Sequence, residues 1–136
     1  MNNKESVIDK IEKGRAEFAY KCVKEVKDKN YAKDYRSYVK KIPSMILSNG
    51  AGQTLAFIKS KSNNKEAYKD IYKQINEYFT NKDIPTITKP ENKEDILDWI
   101  VSCDSKTDYR YITGELLALF NWLRRFAEGM IEGEEE

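Results

Sequence analysis

Apolar residues recur every three or four positions through most of this 136-residue chain, and this spacing limits the possible folds more than any other feature. It matches one face of an α-helix, whereas a half-buried strand would alternate at every second residue. The spacing is clearest over residues 4–28 and 108–131. Six glycines and three prolines leave few positions that would interrupt a helix. We therefore predict an all-α fold, a bundle of about six helices forming a single domain over residues 1–136.

The limits of the other helices are predicted from the same spacing and from turn residues. Pro43 suits the first turn of a helix, where its missing N–H costs nothing, so we expect a helix boundary just before it. The acidic residues 132–136 are expected to form a solvated tail. Residues 81–92, with two prolines, are predicted to be a loop. Further helices are predicted over residues 32–41, 65–80 and 93–103.

The small residues at positions 48–52, Ser-Asn-Gly-Ala-Gly, interrupt a helical pattern that continues on both sides. Each glycine inside a helix costs roughly 1 kcal/mol relative to alanine, so the pair calls for an explanation. One interpretation is a break between two helices, with Asn49 or Gly50 as the C-terminal cap. The other is close approach of a neighbouring helix or of ligand phosphates. A phosphate-binding loop is excluded, because Gln53 stands where that motif requires lysine.

The composition argues against an enzyme. The chain has no histidine, which removes the commonest general base and metal ligand. Cys22 and Cys103 stand apart, so we expect neither a disulfide framework nor a metal site. The carboxylate pair Glu94 and Asp98 is typical of a solvated helix face. We predict no catalytic residue, no metal and no cofactor. No apolar stretch reaches the roughly 20 residues that span a bilayer, so we expect a cytoplasmic protein without a membrane partner.

The net charge of +1 conceals two oppositely charged halves. Residues 1–82 hold 18 Lys and Arg against 10 Asp and Glu, and residues 83–136 hold 6 against 13. A lysine-rich half is typical of a surface that meets a polyanion, and also of the solvated faces of long helices. Two basic pairs, Lys40 with Lys41 and Lys59 with Lys61, stand on either side of the glycine segment. If the flanking helices are collinear, these pairs are about 27 Å apart, a length that suits several phosphates.

Three blocks of sequence stand out together. They are Arg15-Ala16-Glu17-Phe18-Ala19-Tyr20 with Val23, the segment from Tyr38 to Lys61, and Tyr111-Ile112 with Ala118-Leu119-Phe120-Asn121-Trp122-Leu123-Arg124-Arg125-Phe126-Ala127. These blocks resemble the small all-helical subunit of the type III-B CRISPR effector, the Cmr or RAMP-module complex. The resemblance covers most of the chain in the expected order. One departure is Ala51, where that family usually has leucine.

The resemblance implies a non-catalytic subunit of an RNA-guided ribonucleoprotein that acts in antiviral defence. In that family, copies stack into a filament beside the backbone RAMP subunits, together with a large polymerase-like subunit. The two filaments enclose guide RNA paired to target RNA. Sequence-tolerant contact with such a duplex calls for Lys and Arg against phosphates. The candidate RNA-binding residues are Arg15, Lys21, Lys24, Lys40, Lys41, Lys59, Lys61, Arg124 and Arg125.

Two further hypotheses follow from the sequence. The complementary charges of the two halves suggest head-to-tail contacts between stacked copies, which generate open helical assemblies when the rotation does not close. The alternative function is a small helical DNA-binding regulator, with the glycine segment as the turn of a helix-turn-helix. Residues 53–60, which would then read bases, offer only Gln53, Lys59 and Ser60. This is a thin set for base readout.

Overall fold

The computed structural model describes residues 6–133, and they form a bundle of six helices without a strand in that range. The predicted all-α fold and number of helices are confirmed. The first predicted helix begins at residue 4 and the predicted tail ends at residue 136, so part of each lies outside the described residues. The helices are α1 (Val7–Val26), α2 (Ala32–Asn49), α3 (Ala51–Lys61), α4 (Glu66–Thr80), α5 (Ile96–Val101) and α6 (Lys106–Met130).

Three helices begin at a side-chain cap. Ser6, Asp95 and Ser105 each accept a hydrogen bond from the backbone N–H three residues later, which satisfies one of the free donors of the first turn. The cap at Asp95 explains why α5 starts later than the predicted residue 93. The cap at Ser105 likewise starts α6 two residues before the predicted boundary.

The predicted boundary before Pro43 is wrong, because α2 continues through this proline to Asn49. Proline cannot donate to the Val39 carbonyl and costs a helix interior about 3 kcal/mol or more. The flanking residues Val39, Ile42 and Ile46 are all buried. Burial of each such side chain contributes about 1.5–3 kcal/mol. The packed face of α2 therefore offsets the proline and keeps the helix continuous.

Side-chain contacts give the directions of the principal helices. Ion pairs and close contacts join the start of α2 to the end of α6, and the end of α2 to the start of α6, so these helices are antiparallel. α1 and α6 run parallel, since contacts join Arg15 to Glu115 and Tyr20 to Phe126. α2 also packs against α3 and α4, and α5 packs against α3 and α4.

The loop at residues 81–92 is not a free linker. Ile84 and Ile87 pack against the core, and Ile84 lies over Gly14 of α1. The backbone N–H of Lys89 donates to the Phe79 carbonyl at 2.9 Å. This segment therefore belongs to the bundle. None of the helices within residues 6–133 combines the length and the apolar character that a membrane span requires.

Candidate nucleic-acid interface

The glycine segment is a break between two helices, as the first interpretation predicts. Gly50 adopts φ 88° and ψ 161°, a conformation essentially restricted to glycine, and it ends α2 and precedes α3. The hydroxyl of Tyr109, from α6, accepts a hydrogen bond from the Gly52 N–H at 3.2 Å. The close neighbour of the small residues is thus a tyrosine side chain. Ala51 is fully buried, so the packing here suits a small residue.

The two helices flanking Gly50 are not collinear, so the predicted spacing of about 27 Å between the basic pairs is wrong. Tyr38 of α2 stacks on Tyr68 with ring centroids 3.9 Å apart, and Phe57 of α3 meets the same ring edge-on at 5.7 Å. Lys41 and Lys61 lie over the Tyr38 and Phe57 rings, at 5.3 and 5.6 Å. The break therefore brings the two lysines to one surface. We call Lys41 and Lys61 the α2–α3 basic cluster.

Lys59, the neighbour of this cluster in sequence, is held on the α5 side of α3. Its ammonium lies 2.9 Å from the Asp95 carboxylate and over the Tyr72 ring. Burial would raise the pKa of Asp95, but hydrogen bonds from the Asp98 backbone and from Lys59 and Tyr72 lower it. About half of the Lys59 side chain remains exposed. Lys59 therefore combines a structural contact with a solvent-facing surface.

Lys40 lies on a different face of α2 from Lys41, where α2 meets α6. Its ammonium is 3.8 Å from the Glu128 carboxylate. Arg36 lies one turn earlier on α2, and Arg124 lies one turn before Glu128 on α6. Both arginines are half-buried, and the Nε of each is buried without a hydrogen-bond partner. We call Arg36, Lys40 and Arg124 the α2–α6 basic seam.

Arg15 is engaged inside the protein. Its Nη2 and Nε donate to the Glu115 carboxylate at 2.7 and 3.3 Å, and its Nη1 donates to Glu12 at 2.6 Å. Burial alone would lower the pKa of Arg15, but these hydrogen bonds raise it. Only 15% of the side chain is exposed. Its contacts leave the predicted RNA-binding role of Arg15 without support.

Glu115 is the centre of this network, which we call the Glu115 network. It also accepts hydrogen bonds from the Tyr78 hydroxyl at 2.6 Å and from the N–H and hydroxyl of Thr86, at 2.9 and 2.6 Å. The carboxylate thus joins α1, α4, α6 and the loop. Burial would raise the pKa of Glu115, but hydrogen bonds from Arg15, Thr86 and Tyr78 lower it.

The remaining predicted RNA-binding residues lie on α1 and α6. Lys21 and Lys24 are exposed, and the Lys24 ammonium lies 5.9 Å from the centre of the Tyr20 ring. Arg125 is exposed, whereas its neighbour Arg124 is half-buried, as expected for adjacent helical residues about 100° apart. The predicted residues therefore do not form one continuous patch. Lys41 and Lys61 form the α2–α3 basic cluster, Lys40 and Arg124 belong to the α2–α6 basic seam, and Lys21 and Lys24 lie on α1. Arg15, Lys59 and Arg125 belong to none of these groups.

Two charged residues escaped the sequence-based prediction. Arg36 stands four residues before Lys40 and shares its helix face, which was a usable signal. Glu115 falls among Ile112, Leu116 and Leu119 on the inner stripe of α6. An acid at such a position indicates a buried carboxylate with charged or hydrogen-bonding partners.

The described part of the chain contains no group of three His, Cys, Asp or Glu residues that could hold a metal ion. Cys22 is buried, and burial raises its pKa. Cys103 is half-buried, and its thiol lies 3.4 Å from the Ser105 carbonyl. The buried Cys22 thiol therefore lacks the exposed surroundings of a reactive cysteine.

Comparisons with known proteins agree on one family. The model of the CRISPR-associated protein family Cas_Cmr5 matches residues 11–130. The CRISPR system Cmr subunit Cmr5 of Thermus thermophilus is 27% identical over 117 residues, which cover 86% of this chain and 92% of that protein. The crystal structure of a CRISPR-associated Cmr5 family protein from the same organism superposes with a TM-score of 0.73 at 26% identity, over 89% of this chain and 97% of that one. The chain belongs to the CRISPR-associated Cmr5 family.

Proposed function

We propose that this protein is the non-catalytic small subunit of a type III-B CRISPR ribonucleoprotein that defends against foreign RNA. Family membership over residues 11–130 supports this proposal, as does similarity to a relative named as a Cmr subunit. Its partners are then the backbone RAMP subunits, the large polymerase-like subunit, guide RNA and target RNA. Copies of the chain stack into a filament, and the opposite charges of its two halves favour head-to-tail contacts.

The observation that carries an RNA-contacting role is the convergence of Lys41 and Lys61. They come from two helices and are 20 positions apart in sequence, yet the rings beneath them, Tyr38 and Phe57, both contact Tyr68. Both ammonium groups lie over aromatic rings, which limits their conformational freedom. Lysines provide charge to phosphates without reading bases, as a guided duplex requires. Lys21, Lys24, Lys40, Lys59, Arg124 and Arg125 complete the proposed RNA-binding set, from which Arg15 is omitted.

The test is reconstitution of the effector with guide RNA and its other subunits. Charge reversal of the cluster, Lys41→Glu with Lys61→Glu, is expected to weaken binding of target RNA and to reduce the dependence of affinity on salt. The matched control is Lys106→Glu with Arg110→Glu, which reverses two positive charges at exposed positions of α6 outside the proposed RNA-binding set. Assembly of either variant is followed by size-exclusion chromatography. Unchanged affinity for the cluster variant in an assembled complex would count against the RNA-contacting role.

The alternative, a DNA-binding regulator, requires α3 to read bases. Lys59 is one of three polar candidates there, and it pairs with Asp95. Failure to assemble with the other effector subunits, together with tight binding to one duplex sequence, would favour this alternative.

A further inference from the structure

Within residues 6–133, helix α1 packs chiefly against α6. Towards α4 it makes an edge-to-face ring contact between Phe18 and Tyr78, with centroids 5.2 Å apart. The Gln74 amide donates a long hydrogen bond, 3.4 Å, to the Cys22 carbonyl. A polar depression of about 360 Å³ lies between α4 and the end of α1. Helix α1 is therefore attached mainly along the side that faces α6.

The loop that follows α4 contacts the same helix and the same buried acid. The Ile84 side chain lies over Gly14 of α1. Thr86 donates its N–H and its hydroxyl to the Glu115 carboxylate, at 2.9 and 2.6 Å. This carboxylate is also the acceptor for Arg15 of α1. Because one carboxylate holds both segments, a change that frees the loop also weakens the attachment of α1.

Both segments end at contacts that belong to the rest of the bundle. Residues 27–30 connect α1 to α2, and Tyr31, just beyond them, donates a hydrogen bond of 2.6 Å to Asp70 of α4. The loop is held again at Lys89, whose N–H donates to the Phe79 carbonyl at 2.9 Å. Helices α2 to α6 pack against one another without α1. Their contacts can therefore persist when α1 and the first part of the loop move away.

We propose that α1 and residues 81–88 form a latch, which opens as one unit while α2 to α6 remain folded, and that Glu115 holds this latch closed. Proteins commonly open in such cooperative segments, at a lower free energy than global unfolding. Opening exposes the inner face of α1, where Ala19, Cys22 and Val23 are buried. A partner that displaces Thr86 from Glu115 would also loosen α1. The proposal is independent of the proposed function.

The test uses Cys22 of the full chain as the reporter, because this thiol is buried on the inner face of α1. The chain has two cysteines, so Cys103→Ser leaves Cys22 as the single thiol. Its rate of reaction with iodoacetamide at fixed pH follows the open population when opening and closing are fast relative to the reaction. Thr86→Val, which removes one hydrogen bond to the carboxylate, is expected to raise this rate at least about tenfold.

The matched control is Asp95→Asn, in a second carboxylate network. Asp95 accepts hydrogen bonds from Lys59 at 2.9 Å and from Tyr72 at 2.8 Å, and it caps α5, which packs against α3 and α4. These contacts stay intact when the latch opens. The control variant should therefore unfold at lower urea concentration, while its rate of Cys22 modification stays within about twofold of the unsubstituted rate.

Two results would overturn the proposal. The first is acceleration of Cys22 modification in both variants in proportion to their lost global stability, because Cys22 would then be exposed only by global unfolding. The second is an unchanged rate in Thr86→Val, which would show that the loop does not hold α1.

A second measurement needs no variant of either carboxylate network. In the Cys103→Ser chain, the logarithm of the modification rate should rise with urea less steeply than global unfolding predicts, because opening of the latch exposes less surface. A slope equal to that of global unfolding, measured by circular dichroism, would also contradict the proposal.

Discussion

Helix α6 carries two charged sites that face different neighbours, and they differ in how their arginines are satisfied. Near its middle, Glu115 holds Arg15 of α1 within a closed set of hydrogen bonds. Nearer the end of α6, Arg124 lies where this helix meets α2, which carries Arg36. The buried Nε of each arginine has no hydrogen-bond partner. Both sites lie at helix–helix contacts; the first contains one half-buried arginine and the second contains two. The difference is a buried carboxylate, Glu115, which the first site has and which the second site lacks among residues 6–133.

On this difference we base the proposal that the first site has a structural role and the second a binding role. A charge that is paired and hydrogen-bonded within the protein has little to gain from an external ligand. An arginine without an internal acceptor gains hydrogen bonds when an anion arrives. The position of an arginine in the sequence does not distinguish these cases, whereas its hydrogen-bond and ion-pair partners in the folded chain do.

The largest expected effect is the loss of the buried acid. Glu115→Ala leaves Arg15 without its main partner and removes the acceptor of Tyr78 and Thr86. We expect stability to fall by about 3–5 kcal/mol, the usual effect of breaking a buried ion pair from one side. Urea denaturation followed by circular dichroism measures this change. Glu12→Gln is the control, because Glu12 is nearly half exposed and its ion pair should contribute less than about 1 kcal/mol. Comparable losses in the two variants would contradict the central role of Glu115.

The Glu115 network also predicts a dependence of stability on pH. The pKa of Glu115 is lower in the folded chain than its ordinary value of 4.5. Its contribution is therefore complete above about pH 4.5, its value in an unfolded chain, and is lost as pH falls through the lower folded value. The difference in unfolding free energy between wild type and Glu115→Gln should shrink on acidification below pH 4.5. A difference that grows in acid would show that the carboxylate is not stabilised as its contacts indicate.

A smaller effect is expected from the loop contact of the same network. Thr86→Val removes the hydroxyl that donates to Glu115 but keeps the side-chain shape and the backbone N–H contact. A hydrogen bond to a charged group contributes about 1.5–3 kcal/mol, which sets the expected loss. Thr88→Val, in the same loop, is the control. Equal stability of the Thr86 variant and wild type would show that the loop is held without this hydrogen bond.

The smallest effect on stability is expected at the α2–α6 basic seam. Arg36→Gln with Arg124→Gln removes no described hydrogen bond or ion pair, and it relieves two unpaired buried donors. We expect unfolding free energy to stay within about 0.5 kcal/mol of wild type, as for other changes without a lost contact. Loss of more than about 2 kcal/mol would indicate a packing role for these side chains and weaken the distinction between the two sites.

Much of the fold is predictable from the sequence, because the helical spacing of apolar residues is strong and turn residues are few. The continuation of α2 through Pro43 is not predictable from the sequence. Whether the proline ends the helix depends on the tertiary burial of Val39, Ile42 and Ile46, which offsets the cost of the proline. The orientation of α3 was not predictable either, because the chain direction after Gly50 depends on backbone angles and on the ring contacts of Tyr68. The sequence alone gives no reason to assign different roles to Arg15 and Arg124. Only the folded chain shows that Glu115 accepts hydrogen bonds from Arg15.

The most direct test of the distinction between the two sites is the RNA affinity of two folded double variants. Arg15→Gln with Glu115→Gln removes the internal ion pair without changing net charge, and Arg36→Gln with Arg124→Gln removes the seam guanidinium groups. Both are compared with wild type by oligouridylate binding at low salt, under conditions where circular dichroism shows each chain to be folded. We expect the first variant to bind RNA like wild type and the second to bind at least tenfold more weakly. Weaker binding by the first variant, with unchanged binding by the second, would contradict this account.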